Sequence, residues 1–331
     1  MNNIHFTVAI PTYNGGDRLP SLLEKLQKQI NTENINWEIL VVDNKSTDNT
    51  AQLVKSYQEN WQYPFPLRYC LEKKQGAAFA RKRAIKETQS PLIGFLDDDN
   101  FPCKKWVANA YSFALKHPNA GAFGSQIHPD WEVEPPINFK RITPFLAITE
   151  RGNLPLLYEP KKKILPPAAG LVIRRQAWLE SIPNKCILGG RTNGNMLTGE
   201  DLEVLAYIQK SGWEIWYNPE MEIYHQIPHW RLKREYLIPF FRGIGHSRFV
   251  TRMLGVKPWQ RPLALVAFMI NDLRKIAIHL IKYRTGIKHD LVAACEMQLF
   301  MSSFFSPFFL LKNGYLKNDE ASPLNPPTLG E

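Results

Sequence analysis

The sequence predicts an α/β fold: a doubly wound, mostly parallel sheet followed by a C-terminal helical, basic appendage. Three observations carry that expectation. Short apolar runs alternate with helix-patterned segments over roughly the first 125 residues. Polar residues recur directly after those runs. Basic residues gather late in the chain.

Each element follows from its local pattern. Phe6 to Ile10 reads as a buried strand. Leu19, Leu22, Leu23, Leu26 and Ile30 keep helical spacing, with Pro20 in the first turn. Glu38 to Val42 is a second strand ending in Asp43. Asp48 is expected to cap the next helix, whose apolar face is Leu53, Val54 and Tyr57. Leu67 to Leu71 is a third strand, followed by Gly76 and a helix through Ile85. Leu92 to Leu96 is a fourth, ending in Asp97, Asp98 and Asp99. Pro102 then suits the first turn of a helix through Leu115, and Ala120 to Ile127 reads as a further strand.

Residues 128 to 167 are rich in Pro and Lys and weakly periodic, which reads as a long active-site loop or lid. Order resumes with a strand at Ala168 to Ile173 and a helix at Arg175 to Ser181. Gly199, Glu200 and Asp201 open a helix that turns Leu202, Leu205, Ala206 and Ile208 inward. Trp213 to Tyr217 and Glu222 to His225 read as two strands. From Arg231 the chain is expected to be helical and basic. The expected division is a catalytic domain over 1–230, a basic, amphipathic helical, membrane-proximal region over 231–315 and a flexible tail over 316–331.

Composition bounds the class. Hydrophobic residues make up 44% and charged residues 22%, which excludes a disordered or fibrous chain. The four cysteines are dispersed with no CxxC pair, so neither a zinc site nor a disulfide framework is expected, and a reducing compartment is. The net charge of +10 is local: residues 231–290 hold 13 Lys/Arg against three acids, while 28 basic and 28 acidic residues cancel elsewhere. No nucleic-acid reader motif accompanies that stretch, so no nucleic-acid partner is expected.

The opening seven residues lack the basic cluster of a secretory signal, and Pro11 interrupts the apolar run after them. Pro262 to Ile281 is broken by Asn271, Asp272, Arg274 and Lys275. Met297 to Leu311 is short and holds Pro307. Both fit a helix lying on a bilayer better than one crossing it, or a helical cover on the preceding domain. The expected location is therefore cytoplasmic, peripheral at the inner face of the cell membrane.

In parallel sheets, ligands sit at the carboxyl ends of the strands. Thr12, Tyr13 and Asn14, Asp43, Glu72, and Asp97 to Asp99 all fall at that edge. Three adjacent carboxylates repel one another unless donors or a cation compensate. Mg²⁺ or Mn²⁺ takes one or two carboxylates plus substrate phosphates; the other reading is a solvated loop at a helix N-terminus. Asp43 suits a ribose hydroxyl or a base N–H, or simply a turn. Gly76, Ala77, Ala78 and Ala80 allow close approach of a phosphate, with Arg81 one turn on. Neither GxxxxGK[ST] nor GxGxxG occurs. Glu200 and Asp201 suit a general base or a helix cap, and His225 a metal ligand or a structural histidine.

Together these residues resemble the family 2 glycosyltransferases of GT-A type. Ala9-Ile10-Pro11-Thr12-Tyr13-Asn14 is similar to the family's opening strand and loop. Val41 to Asp48 is similar to its second signature, and Gly76 through Ala80-Arg81 to its third. Asp97-Asp98-Asp99 stands where its DxD motif stands, and Glu200-Asp201 where its ED motif stands. The resemblance covers residues 5 to 230. It implies that Pro11, Thr12, Tyr13, Asp43, Gly76, Arg81, Asp97, Asp98 and Glu200 line the nucleotide-sugar site. It further implies that Asp99 and His225, with His229 second to it, hold Mn²⁺ or Mg²⁺, and that Asp201 is the base.

The implied partners are a nucleoside-diphosphate sugar donor and a saccharide or lipid-linked acceptor. The implied chemistry is inversion by direct displacement. Two departures stand out: Lys82 follows Arg81 where Asn is common, and Gln226-Ile227-Pro228-His229-Trp230 has His where processive synthases have Arg. A non-processive enzyme is therefore expected. The segment from His225 to Leu232 and the basic tail resemble the cyanobacterial hormogonium polysaccharide type. A nucleotidyltransferase of similar fold would carry a Gly-rich basic loop that Thr12 to Leu19 does not provide. A non-catalytic binding scaffold would not need Asp99 and Asp201.

Overall fold

The computed structural model describes residues 4–160, 165–192 and 196–316. The tail expected over 316–331 lies, after Leu316, outside the described residues. Runs buried on both faces form the first strands, as parallel sheets require. In order they are β1 (Phe6–Thr12), α1 (Leu19–Gln27), β2 (Trp37–Asp43), α2 (Thr50–Glu59), β3 (Leu67–Leu71), α3 (Ala77–Glu87) and β4 (Leu92–Phe95). Then come β5 (Asn100–Pro102), α4 (Trp106–Lys116), β6 (Ala120–Trp131), β7 (Leu156–Leu157), β8 (Leu171–Arg174) and α5 (Arg175–Ser181). The rest are α6 (Glu200–Lys210), β9 (Glu214–Ile227), α7 (Arg234–Leu254), α8 (Arg261–Tyr283) and α9 (Leu291–Lys312).

The sheet runs β3-β2-β1-β4-β8-β6-β9-β5, with β7 beside β9. β1 pairs in parallel with β2 and β4, and β2 with β3, so their carboxyl ends share one edge. The chain order reverses direction at β1, and the crevice between β1 and β4 is where such sheets bind ligands. β8 runs antiparallel to both β4 and β6. β6 and β9 are parallel, with a register shift between Ser125 and Gln126.

Several local expectations are corrected. Pro102 ends β5 instead of opening a helix, because Asn100–Pro102 pairs with β9 and Cys103 N–H bonds the Glu222 carbonyl at 2.9 Å. Helix α4 starts only at Trp106. The two strands expected at Trp213 to His225 are one, β9, because β6 pairs along nearly all of it. Asp48 does not stand at the N-cap of α2. Asn49 does, while Asp48 accepts from Thr50 N–H at 3.0 Å.

The chain divides into two compact units. One comprises Met1–Glu132, Pro144–Ser181 and Ile208–Ile227; the other comprises Val133–Thr143, Ile182–Tyr207 and Pro228–Glu331. The sheet unit's core joins Val8, Ile10, Leu22, Ile39, Trp106, Phe123 and Val172. At the amino ends of its strands, buried Glu38 is satisfied by Thr7 at 2.9 Å and by Arg68 at 3.1 Å.

In the second unit, Leu188, Leu197, Val250, Met253 and Leu310 form a separate cluster. Among the described residues one helix, α9, is long and apolar enough to cross a membrane by length and composition alone, and half of its apolar window is buried. It exceeds the short Met297 to Leu311 run because Asp290 caps it through Ala293 N–H at 3.0 Å and Pro307 is accommodated inside it.

Candidate active site

The loops after the parallel strands are laced into one rim by side chains. Asn14 has φ +49°, a left-handed conformation that Asn tolerates. Its N–H donates to Ser46 Oγ at 2.9 Å and its Oδ1 accepts from Thr47 N–H at 2.8 Å. Asn44 joins the next loop: its Oδ1 accepts from Gly76 N–H and its Nδ2 donates to the Lys74 carbonyl, both at 2.7 Å. Gly76 opens α3 at φ +133°, a backbone that only glycine adopts without strain.

The three consecutive aspartates have separate fates. Asp98 is buried and turned into the protein. Thr12 Oγ1 donates to its Oδ2 at 2.5 Å, and Arg18 reaches both carboxylate oxygens. Burial raises the Asp98 pKa, against the pull of Arg18 and Thr12. Gly15 must lack a side chain, since a Cβ would lie 2.0 Å from Thr12 Oγ1 and 2.7 Å from Asp98 Oδ2. Asp97 is more open and lies 3.4 Å from Nη2 of buried Arg81. The structure therefore brings Arg81 and Asp97 together.

Asp99 meets His225. The register that sets Asn100 opposite His225, and the bond from Gln226 N–H to the Asp99 carbonyl, hold β5 against β9. His225 Nε2 lies 3.6 Å from Asp99 Oδ2, and both residues are buried. Nδ1 lies 3.0 Å from the Leu146 carbonyl, which can only accept. Nδ1 therefore carries a hydrogen, and in the neutral ring the Nε2 lone pair is turned to the carboxylate. An imidazole nitrogen and a carboxylate oxygen side by side are donor types that a divalent cation takes, and a carbonyl behind the ring is the usual support of a metal-ligating histidine. This pair fits a hard divalent ion. No cluster of three or more His, Cys, Asp or Glu side chains that could hold a metal occurs among the described residues.

Asp43 is also fully engaged in the protein. Ser46 N–H donates to its Oδ1 and Tyr69 Oη to its Oδ2, each at 2.8 Å. Burial, with Asp43 second, raises the Tyr69 pKa. Pro11 and Tyr13 are half-buried beside these groups, and the Tyr13 carbonyl accepts from Arg18 at 3.3 Å.

Glu200 and Asp201 stand in the first turn of α6, in the second unit. Asp201 Oδ1 accepts from Leu202 N–H at 2.8 Å. The helix turns Glu203 inward, leaving Leu202 and Ala206 only half-buried. Glu203 is fully buried and accepts Ile187 N–H at 2.9 Å and Leu188 N–H at 2.7 Å. Burial pushes its carboxyl up to about 7, opposed by those two N–H groups. Asn193, Gly194 and Asn195, in the Gly/Asn-rich stretch before the helix, lie outside the described residues.

Sequence reasoning missed Arg18, Asn44 and Glu203, the side chains that hold the rim and the approach to α6. The signals available were an Arg one turn after a strand–loop signature, and a third acid directly following Glu200 and Asp201.

The profile described as glycosyl transferase family 2 matches residues 7–180. TarS of Staphylococcus aureus, a poly(ribitol-phosphate) beta-N-acetylglucosaminyltransferase, is 31% identical over 113 residues, 34% of this chain and 19% of that protein. WfgD of Escherichia coli, a UDP-Glc:alpha-D-GlcNAc-diphosphoundecaprenol beta-1,3-glucosyltransferase, is 30% identical over 109 residues, 33% of this chain and 39% of that protein. The matches span less than half the length of these curated relatives.

Among solved structures, the mannosyltransferase PcManGT of Pyrobaculum calidifontis, in complex with GDP-Man and Mn²⁺, gives a TM-score of 0.55 at 18% identity, covering 95% of this chain and 88% of that one. TarS residues 1–349 in complex with UDP give 0.50 at 16% identity, covering 94% and 92%. These are likenesses of fold, the GT-A arrangement.

Proposed function

The chain belongs to glycosyl transferase family 2, and we propose that it is an inverting, metal-dependent, non-processive glycosyltransferase. It moves one sugar from a nucleoside-diphosphate donor, a UDP-sugar first of all, to a hydroxyl of a saccharide or lipid-linked acceptor in polysaccharide biosynthesis. The observation that carries this reading is the pairing of buried Asp99 and His225, at 3.6 Å, on the rim formed by the parallel strands. WfgD, a glucosyltransferase that uses UDP-Glc and a diphosphoundecaprenol-linked acceptor, and PcManGT, in complex with GDP-Man and Mn²⁺, support the class of donor, lipid-linked acceptor and ion. The hormogonium-type assignment belongs to the same proposal, on the His225 to Leu232 segment.

The roles follow from chemistry. Asp43, Thr12, Tyr13 and Pro11 shape the nucleoside side of the rim. Gly76 and the first turn of α3 offer backbone room to phosphate. Arg81 and Asp97 position one another beside the donor, while Asp98 holds the loop from within. Asp99 and His225 would hold Mn²⁺ or Mg²⁺, which when bound draws charge off the departing diphosphate. Asp201 takes the acceptor hydroxyl proton as the new C1–O bond forms and the bond from C1 to the diphosphate oxygen breaks. The basic helices 231–315 keep the enzyme at the inner face of the cell membrane.

The test is calorimetric or thermal-shift titration of the full chain with UDP- and GDP-sugars, with and without Mn²⁺. Metal-dependent stabilisation of about 2.7 kcal/mol is expected at a hundredfold excess over Kd. Absence of stabilisation by any nucleotide sugar defeats the reading.

A further inference from the structure

Helix α8 is built inside out. Its fully buried residues are Arg261, Asp272 and His279, all polar. Its exposed face carries Leu263, Val266, Ile270 and Leu273, spaced three or four apart, and Ile281 two further turns on along the same stripe. Leu263 is 74% exposed, Ile270 61% and Ile281 73%. An amphipathic helix of a water-soluble protein turns the other way.

Two of the inward polar groups are fully paired: Arg252 forms a two-bond pair with Asp272 at 2.6 and 2.9 Å, and His279 Nε2 bonds the Ala293 carbonyl at 2.8 Å, while Arg261 Nε donates to the Val256 carbonyl at 3.3 Å and its Nη1 is buried with no partner among the described residues. Helix α9 buries mostly apolar residues, among them Val292, Leu299 and Leu310, but its second half shares part of the pattern. Ser302, Ser303 and Ser306 are buried while Met301, Phe305, Phe308 and Leu311 are exposed. Between the two helices lies an open groove of about 630 Å³, lined by Leu280, Met297, Met301 and Phe305 and by Arg284 and Lys288.

Charge selects the occupant. Arg274, Lys282, Arg284 and Lys288 are exposed along this part of the chain, whereas no acid between Arg261 and Asp290 is. A second copy of the chain would set like charges against each other; an anionic lipid surface complements them. We infer that the outer faces of α8 and α9 are a membrane-embedding surface. The apolar stripe enters one leaflet, the groove takes a lipid chain, and Arg284 and Lys288 meet the phosphate layer. This deepens the membrane-proximal reading above and does not depend on sugar transfer.

The full chain is sedimented with vesicles of phosphatidylcholine alone or mixed with phosphatidylglycerol, and donor binding is followed separately by thermal shift. Binding to the anionic vesicles is expected. Ile270→Glu, and independently Ile281→Glu, should weaken it at least about tenfold, because each drives a carboxylate toward the acyl region. Arg284→Glu with Lys288→Glu should weaken it at least about fivefold on anionic vesicles. Brominated acyl chains should quench the wild-type fluorescence contributed by Trp259, which is 72% exposed at the start of the stripe, and Trp259→Phe identifies that contribution. Wild-type protein that ignores anionic vesicles, or Glu variants that bind like wild type, overturns the proposal. So does a dimer that Ile270→Glu dissolves in the absence of vesicle binding. Lost donor binding with intact vesicle binding defeats only the enzymatic reading.

Discussion

Arg18 grips Asp98 through both carboxylate oxygens, Nε to Oδ1 at 2.8 Å and Nη2 to Oδ2 at 3.0 Å. The middle aspartate of the acidic loop is thereby a structural anchor, leaving Asp97 and Asp99 to face the rim. Arg18→Ala leaves a buried carboxylate with Thr12 as its remaining side-chain partner. The expected loss is about 2 kcal/mol, below the range for fully buried pairs because the Arg18 side chain is 40% exposed. Urea unfolding measures it; unchanged stability would show that Thr12 suffices.

Asp99→Ala and His225→Ala should each remove the Mn²⁺-dependent part of donor binding while leaving the fold intact. Titration of a nucleotide sugar with and without Mn²⁺ reads this directly. A variant that keeps the full metal increment assigns the ion to other side chains.

Asp201→Asn should leave donor affinity within about twofold and lower kcat by about 10² to 10⁴, the usual contribution of one positioned base. Wild-type turnover in this variant places the base elsewhere.

Glu203 gives the second unit a pH dependence with a definite sign. Its folded carboxyl keeps a proton up to about pH 7, whereas an exposed glutamate releases it near 4.5. Between these values the folded state binds more protons, so stability falls as pH rises through that window and levels off above it. The loss is at most about 3 kcal/mol. Glu203→Gln should flatten this slope and cost about 1–2 kcal/mol through one mispaired N–H. Chemical denaturation at pH 4.5, 6 and 7.5 separates the two effects; an equal slope in both proteins removes Glu203 as its source.

Gly76→Ala should destabilise by about 1–3 kcal/mol, because its φ of +133° lies where a Cβ is strained. Thermal unfolding without ligand tests this. An unchanged midpoint would mean that the Asn44–Gly76 bond relaxes freely.

The parallel half of the sheet was legible because Phe6 to Ile10, Glu38 to Val42 and Leu92 to Leu96 are continuous apolar runs, each followed by polar residues. Their shared edge follows from parallel pairing. The reversed strand β8 was not legible in direction: Leu171–Arg174 is a short apolar run, and such a run does not state its partner. Strand β9 looked like two strands because polar residues interrupt its pattern near the register shift with β6. The burial of Glu203 was not legible because the two N–H groups that permit it belong to Ile187 and Leu188, in a loop well before the helix. The aspartate run was visible as a group, but its division into an anchored Asp98 and a His225-facing Asp99 depends on contacts with distant strands. The basicity of 231–290 was plain, whereas the inversion of α8 appears only once the buried positions are known.

The Asp99–His225 pair also sets a timetable for synthesis. Asp99 leaves the ribosome early and His225 only with the last strand of the sheet, and the pairing of β5 with β9 brings them together. A nascent chain cannot assemble this pair before residue 225 has emerged, so a truncated translation product ending before β9 has Asp99 without the side chain that faces it.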